Sequence, residues 1–133
     1  AANAAADRVR GGRERILLVD DEDDLIYAGQ KILQRLGYAV VACTGGLKAL
    51  EAFRAAPHRF DLVITDQTMQ DLTGDQLTKS MKAIRQDLPV IICTGFSESL
   101  NKESAIAAGA TSFLMKPVHL NEMAASIREA LDG

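Results

Sequence analysis

The sequence predicts a doubly wound α/β sandwich: a five-stranded parallel sheet in the order 2-1-3-4-5 with helices on both faces. Three observations predict it. Short apolar runs of strand length, rich in β-branched residues, recur five times. Between them lie segments whose apolar residues fall at steps of three and four. Capping residues and glycines stand at the joins. Strict strand-helix alternation calls for right-handed crossovers that cover both faces of a parallel sheet. The order 2-1-3-4-5 is one of the common solutions, and ligands then bind beyond the carboxyl ends of the strands.

The elements follow in turn. RILLVD (15–20) reads as the first strand, and Leu25, Gly29, Ile32, Leu33 and Leu36 as the face of a helix ended by Gly37. YAVVAC (38–43) is the second strand, followed by Thr44, placed to cap a helix carrying Leu47, Leu50 and Phe53. FDLVIT (60–65) is the third. Thr73 and Gln76 have capping-box spacing at the head of a helix with Leu77, Met81 and Ile84. PVIICT (89–94) leads to an Ala-rich stretch, 98–108, expected to be the most weakly packed helix, with Gly109 at its end. TSFLMK (111–116) is the fifth strand. Leu120, Met123, Ala124, Ile127 and Leu131 mark the clearest helix.

The chain has 133 residues, 47% of them hydrophobic, enough for one sizeable core. Residues 14–133 are read as one domain. Residues 1–13, rich in Ala, Arg and Gly without a core pattern, are expected to be a linker or an expression remnant. Any output is then expected on another chain or on a segment outside this one. A net charge of −3 without a basic stripe argues against direct nucleic-acid binding. No apolar run approaches the roughly 18 to 20 residues of a membrane span, and no signal peptide pattern is present, so a cytoplasmic domain without membrane contact is expected. Cys43 and Cys93 lack metal-ligand spacing and are read as buried free thiols. Their strands would be about 14 Å apart at roughly 4.8 Å per strand, beyond the reach of a disulfide.

The strand ends carry the chemistry. Asp20 and Asp21 end the first strand, Asp66 the third, Thr94 the fourth, and Lys116-Pro117 the fifth. In the order 2-1-3-4-5 these four strands are neighbours, so the residues converge on one edge. Each has a plain structural alternative. Asp20 and Asp21 can start a helix; Asp66 can be a turn residue; Thr94 can be a polar strand end; and Lys116 can be an exposed lysine where proline stops the strand. Falling together on one edge by accident is much less probable than any one of these. Three carboxylates in one place repel one another unless a cation sits among them. Mg²⁺ suits oxygen ligands and is typically held by one or two carboxylates plus phosphate oxygens. A carboxylate, Mg²⁺, a lysine and a hydroxyl are the parts that phosphoryl transfer needs, here to an aspartate. The acidic run VDDEDDL (19–25) then divides: Asp20 and Asp21 belong to the site, and Glu22, Asp23 and Asp24 to the first turn of the helix.

Through ILLVDDE, VITDQTMQDLTG, VIICTG and SFLMKP, the sequence over residues 14–132 resembles the receiver domains of two-component response regulators, which have a flavodoxin-like fold. The resemblance implies that Asp66 accepts a phosphoryl group from a phosphohistidine on a histidine kinase or a histidine phosphotransfer domain. Asp21, Asp66 and the backbone carbonyl of Thr68 would ligate Mg²⁺, with Asp20 acting through a bound water. Lys116 would contact the phosphoryl oxygens, and Thr94 would move to hydrogen-bond them. Phe113 occupies the place of the family's aromatic switch, and Lys116-Pro117 that of its usual cis bond, against a general frequency of about 5 to 6% for X-Pro bonds. The switching face would be the fourth helix, fifth strand and fifth helix, with residues 96–100 and the following helix as the moving element and a phosphorylation-dependent homodimer as one outcome.

Two positions depart from the pattern. Gln70 stands where proline usually follows the methionine, and Gly95 where alanine is common, which puts rates rather than chemistry in doubt. The stretch GRERILLVDDE with TDQTM and ICTG looks most like the receiver of a hybrid sensor histidine kinase; a stand-alone single-domain regulator is the alternative. A haloacid-dehalogenase-like phosphohydrolase would need a D-x-D-x-T/V pattern after the first strand, and Asp21-Glu22-Asp23-Asp24-Leu25 fails it. A receiver-like module without phosphate turnover would usually lack an acidic residue or the lysine, and none is missing. The domain is therefore expected to be a phosphoacceptor that assists its own phosphorylation and dephosphorylation, not an enzyme acting on a separate substrate. His58 is read as a surface residue, and His119 as lying beside the output face.

Overall fold

The structure is a computed structural model that describes residues 10–95 and 100–133. Strands β1 (Arg15–Val19), β2 (Ala39–Cys43), β3 (Leu62–Asp66), β4 (Val90–Thr94) and β5 (Ser112–Met115) alternate with helices α1 (Asp23–Arg35), α2 (Gly46–Ala55), α3 (Gly74–Ile84), α4 (Lys102–Ala107) and α5 (Leu120–Asp132). A 3-10 turn, Pro57–Arg59, precedes β3 and carries His58 on the surface. All strands pair in parallel in the order β2-β1-β3-β4-β5, as the alternation predicts.

The central strands β3 and β4 are buried along their whole length. Their even and odd positions feed two separate cores, since successive side chains in a strand point to opposite faces. On one face Val63, Val90 and Ile92 pack with Leu50 and Phe53 of α2, Leu77 and Met81 of α3 and Ala105 of α4. On the other Ile64, Ile91 and Leu114 pack with Leu33 of α1 and Ile127 of α5. Two helices thus cover one face and three the other. The ring of Phe53 lies 6.3 Å from that of Phe60, under the start of β3.

The joins conform to the sequence reading with one exception. Thr73 and Gln76 form a complete capping box, and Gly37 and Gly109 end α1 and α4 with φ of 100° and 107°, the left-handed region glycine favours. Thr44, however, does not cap α2. The helix begins one residue later at Gly46, its N-cap is Gly45, and its first free N–H groups are taken by a carboxylate from another loop.

Several helix faces differ from the periodic pattern. In α1 the buried residues are Ile26 and Leu33, while Leu25 and Ile32 are 46% and 42% exposed. Together with Gly29 they line a cleft of about 530 Å³ between α1 and α5. Leu47, Ile84 and Leu120 are also exposed at the rims of their helices. Of the two thiols, Cys93 is buried, Cys43 only half-buried, and both are free. α4 is the shortest helix described, six residues, and buries only Ala105. Residues 96–99, most of the expected moving segment, and residues 1–9 of the expected linker lie outside the described residues. Within 10–13, the Gly12 N–H donates to the Leu36 carbonyl and Arg10 lies 3.7 Å from Asp132.

Candidate functional site

The parallel register fixes where each polar side chain emerges. Val19 pairs with Thr65, Asp66 with Cys93 and Thr94 with Met115. One residue further, the Asp20 N–H donates to the Cys43 carbonyl (3.3 Å), that of Gln67 to the Cys93 carbonyl (2.9 Å) and that of Lys116 to the Thr94 carbonyl (2.7 Å). The ladder therefore carries on past the last strand residues and holds their side chains along one edge.

Asp20, Asp21 and Asp66 meet there, each with a carboxylate oxygen within 4.8 Å of the other two. Asp66 is 7% exposed, and Asp20 and Asp21 are half-buried. Lys116 reaches in from β5 and places Nζ 2.5 Å from Asp66 Oδ1. One ammonium against three carboxylates leaves the group net negative, and in a half-buried setting that repulsion is weakly screened. The clustered donors are carboxylate oxygens only, which suits Mg²⁺ or another hard divalent ion rather than zinc or copper. The Lys116-Pro117 peptide is cis.

Asp20 also does the humbler job. Its Oδ1 accepts the Glu22 N–H at 3.1 Å, forming the turn into α1, while Asp23 and Asp24 occupy the helix's first turn. By position the acidic run falls into two parts, Asp20 and Asp21 beside Asp66 and Asp23 and Asp24 in the helix, with Asp20 also bonded to the turn between them.

Thr94 is wholly buried at the end of β4, one residue beyond the Cys93 that pairs with Asp66, and shares the parity of Val90 and Ile92. Phe113 pairs with Ile92, lies on that same face, and is half-buried against the α2–α3–α4 core. The two expected switch residues therefore share a face and neighbour each other's strands. Thr68 is exposed in the loop after β3, beside buried Met69. His119 is the N-cap position of α5 and makes no side-chain capping bond.

Sequence reasoning missed the bracing of this loop. The Gln70 N–H donates to Asp21 Oδ2 at 3.1 Å, a bond that proline in that position could not make. Asp71 accepts the Gly46 and Leu47 N–H groups, each at 3.0 Å. The Gln67 side chain exchanges two 2.9 Å hydrogen bonds with Asp75. Gly74 lies so close that a Cβ there would fall 2.5 Å from the Asp66 carbonyl oxygen. The departure at Gln70 was the one visible signal. Gly95 carries no comparable constraint, because a Cβ there would meet nothing within 4 Å.

A parallel sheet with this order, carrying an acidic cluster beside a lysine at its carboxyl edge, is the arrangement that the resemblance to receiver domains implies. The response regulator receiver domain family matches residues 16–128, and this chain belongs to that family. It is 30% identical over 121 residues to the sensor kinase CckA of Brucella abortus, covering 91% of this chain and 13% of that protein. It is 33% identical to the transcriptional regulatory protein ZraR of Klebsiella oxytoca, covering 91% of this chain and 27% of that protein. The relatives thus include both a kinase and regulators, and the chain spans only a small part of their length. Among solved structures, a response regulator receiver domain protein from Clostridium thermocellum superposes with a TM-score of 0.85 at 29% identity, over 90% of this chain and 94% of that one. The chemotaxis protein CheY4 of Vibrio cholerae gives 0.81 at 27% identity, over 90% and 100%. Among the described residues no helix is long and apolar enough to cross a membrane.

Proposed function

We propose that this domain is the phosphoacceptor of a two-component phosphorelay and that Asp66 carries the phosphoryl group. The observation that supports this best is the junction of Asp66 with Lys116 at 2.5 Å inside a cluster of three carboxylates. In the step itself, an oxygen of Asp66 attacks the phosphorus of a phosphohistidine on a histidine kinase or histidine phosphotransfer domain. The P–N bond breaks, its electron pair stays on the imidazole nitrogen, and an acyl phosphate results. Lys116 holds the phosphoryl oxygens and offsets their charge. Asp21, Asp66 and the Thr68 carbonyl would hold Mg²⁺, with Asp20 beside them; when bound, the ion neutralises charge on the transferring group.

Thr94 then hydrogen-bonds the new oxygens and Phe113, on the same face, follows it, shifting the α4–β5–α5 surface. Turning a 1:99 population into 99:1 requires about 5.5 kcal/mol of differential interaction, within reach of a few charge-assisted hydrogen bonds. Homodimerisation through that surface is a natural readout. Residues 1–13 would link the domain to a preceding segment, as in the receiver of a cytoplasmic hybrid sensor kinase. Incubation with acetyl phosphate and Mg²⁺ should add one phosphoryl group by intact mass, and Asp66→Asn should abolish it. Unchanged uptake by the Asn variant would refute the assignment.

A further inference from the structure

The loop between β3 and α3 carries Thr68 and Gln70, both exposed, and is braced toward α3 by the paired hydrogen bonds of Gln67 and Asp75. Met69 is buried beneath it. Its anchorage on α2 is Asp71, whose two carboxylate oxygens each accept an N–H from the first turn of that helix, Gly46 to Oδ1 and Leu47 to Oδ2, at 3.0 Å. Helix α2 has no capping side chain of its own, so the carboxylate supplies what Thr44 does not. Sterics show how close this docking is. A Cβ at Gly46 would stand 2.7 Å from Leu72 Cβ, and one at Gly45, where φ is 133°, would stand 3.1 Å from Asp71 Oδ2. The N–H groups of Leu47 and Gly46 also hold the Asp71 carboxyl below the ordinary carboxylate range despite some desolvation.

On the neighbouring residue the same loop reaches the acidic cluster, through the Gln70 N–H on Asp21 Oδ2. One peptide thus joins two bonds: Asp71 to the start of α2, and Gln70 to a carboxylate of the candidate Mg²⁺ site. We propose that Asp71 is a positioning residue for that site: by pinning the loop to α2, it sets the orientation of the Asp21 carboxylate and makes the start of α2 part of the metal site's support. This rests on reading the cluster as a Mg²⁺ site. Losing a group that hydrogen-bonds a metal ligand typically changes affinity by about 10- to 100-fold; the Gln70 N–H is such a group, and Asp71 acts on it through one peptide, so the low end of that range is expected.

The test is Mg²⁺ affinity, by calorimetry or by titration of the Asp21 and Asp66 amide resonances. Asp71→Ala should weaken Mg²⁺ about tenfold. Asp71→Asn, which keeps one acceptor oxygen, should fall between it and the wild type. Arg128→Ala, at the far end of the sheet, serves as a control for lost stability and should leave the affinity unchanged. Linkage supplies a check that needs no variant. Whatever Asp71 contributes to Mg²⁺ binding, Mg²⁺ must return by slowing exchange of the Gly46 and Leu47 amides. A lower Tm in Asp71→Ala with unchanged Mg²⁺ affinity, or unchanged exchange at those amides, would reduce Asp71 to a helix cap and overturn the proposal. Absence of Mg²⁺ binding by the wild type would overturn the site reading itself, and this inference with it.

Discussion

Substituting Asp21 by Asn should change stability in opposite directions with and without Mg²⁺. The carboxylate oxygens of Asp20, Asp21 and Asp66 lie within 4.8 Å of one another. Two unit charges at that distance repel by about 3.5 kcal/mol at an effective dielectric of about 20. Asp21 takes part in two of the three pairings, but it is half-exposed, so solvent screening reduces the relief to about 1 kcal/mol, or about 4 °C in Tm. Asn keeps an oxygen to accept the Gln70 N–H, so the loop bond survives. In EDTA the variant should therefore melt higher than the wild type. At Mg²⁺ a hundredfold above its dissociation constant, the wild type gains about 2.7 kcal/mol, while a variant binding a hundredfold more weakly gains about 0.4 kcal/mol. The order of stability should then invert. Thermal unfolding followed by circular dichroism, in EDTA and across a Mg²⁺ series, reads both effects. If Asp21→Asn melts lower in EDTA, or if its Mg²⁺-induced shift equals that of the wild type, the electrostatic reasoning fails.

Two further outcomes follow from the groups around this frame. Glu14, hydrogen-bonded to Arg128, and Asp71, holding the start of α2, both titrate below their ordinary values of 4.5 and 3.8. Burial alone would raise Asp75, but hydrogen bonds from Thr73 and Gln67 outweigh it and lower it as well. Because the unfolded chain takes up these protons first, their contribution is complete above the ordinary values and is lost as pH falls through them toward the lower folded values. Urea unfolding from pH 6 to 3 should show that decline, and Arg128→Ala should remove the Glu14 part of it; an equally steep decline in the variant would contradict the assignment. Burial pushes the Cys93 thiol up to about 12, while Cys43 is half-buried. Iodoacetamide at pH 8 should modify Cys43 before Cys93 in the native protein, as read by peptide mass; equal native rates would place Cys93 at the surface.

The sequence by itself determined the architecture and which polar residues reach the carboxyl edge of the sheet. Strand and helix periods differ so sharply that five apolar runs such as VIICT between amphipathic segments leave few topologies. The parallel order then brings Asp20, Asp21, Asp66, Thr94 and Lys116 to one edge, because each closes a strand that register aligns with its neighbours. What only the tertiary structure decided were the interactions between loops distant in sequence. Capping rules are local, so they offered Thr44 for α2, whereas the start of that helix is held by Asp71, 25 residues away from Gly46. Helical periodicity marks an apolar stripe without saying how wide its cover will be, which is why Leu25 and Ile32 line an open cleft while Ile26 is buried. The bond from the Gln70 backbone to Asp21 depends on a loop path that no residue spacing encodes. Through-space proximity is a property of the packed chain, and at this site it joins the acidic cluster to the helix beside it.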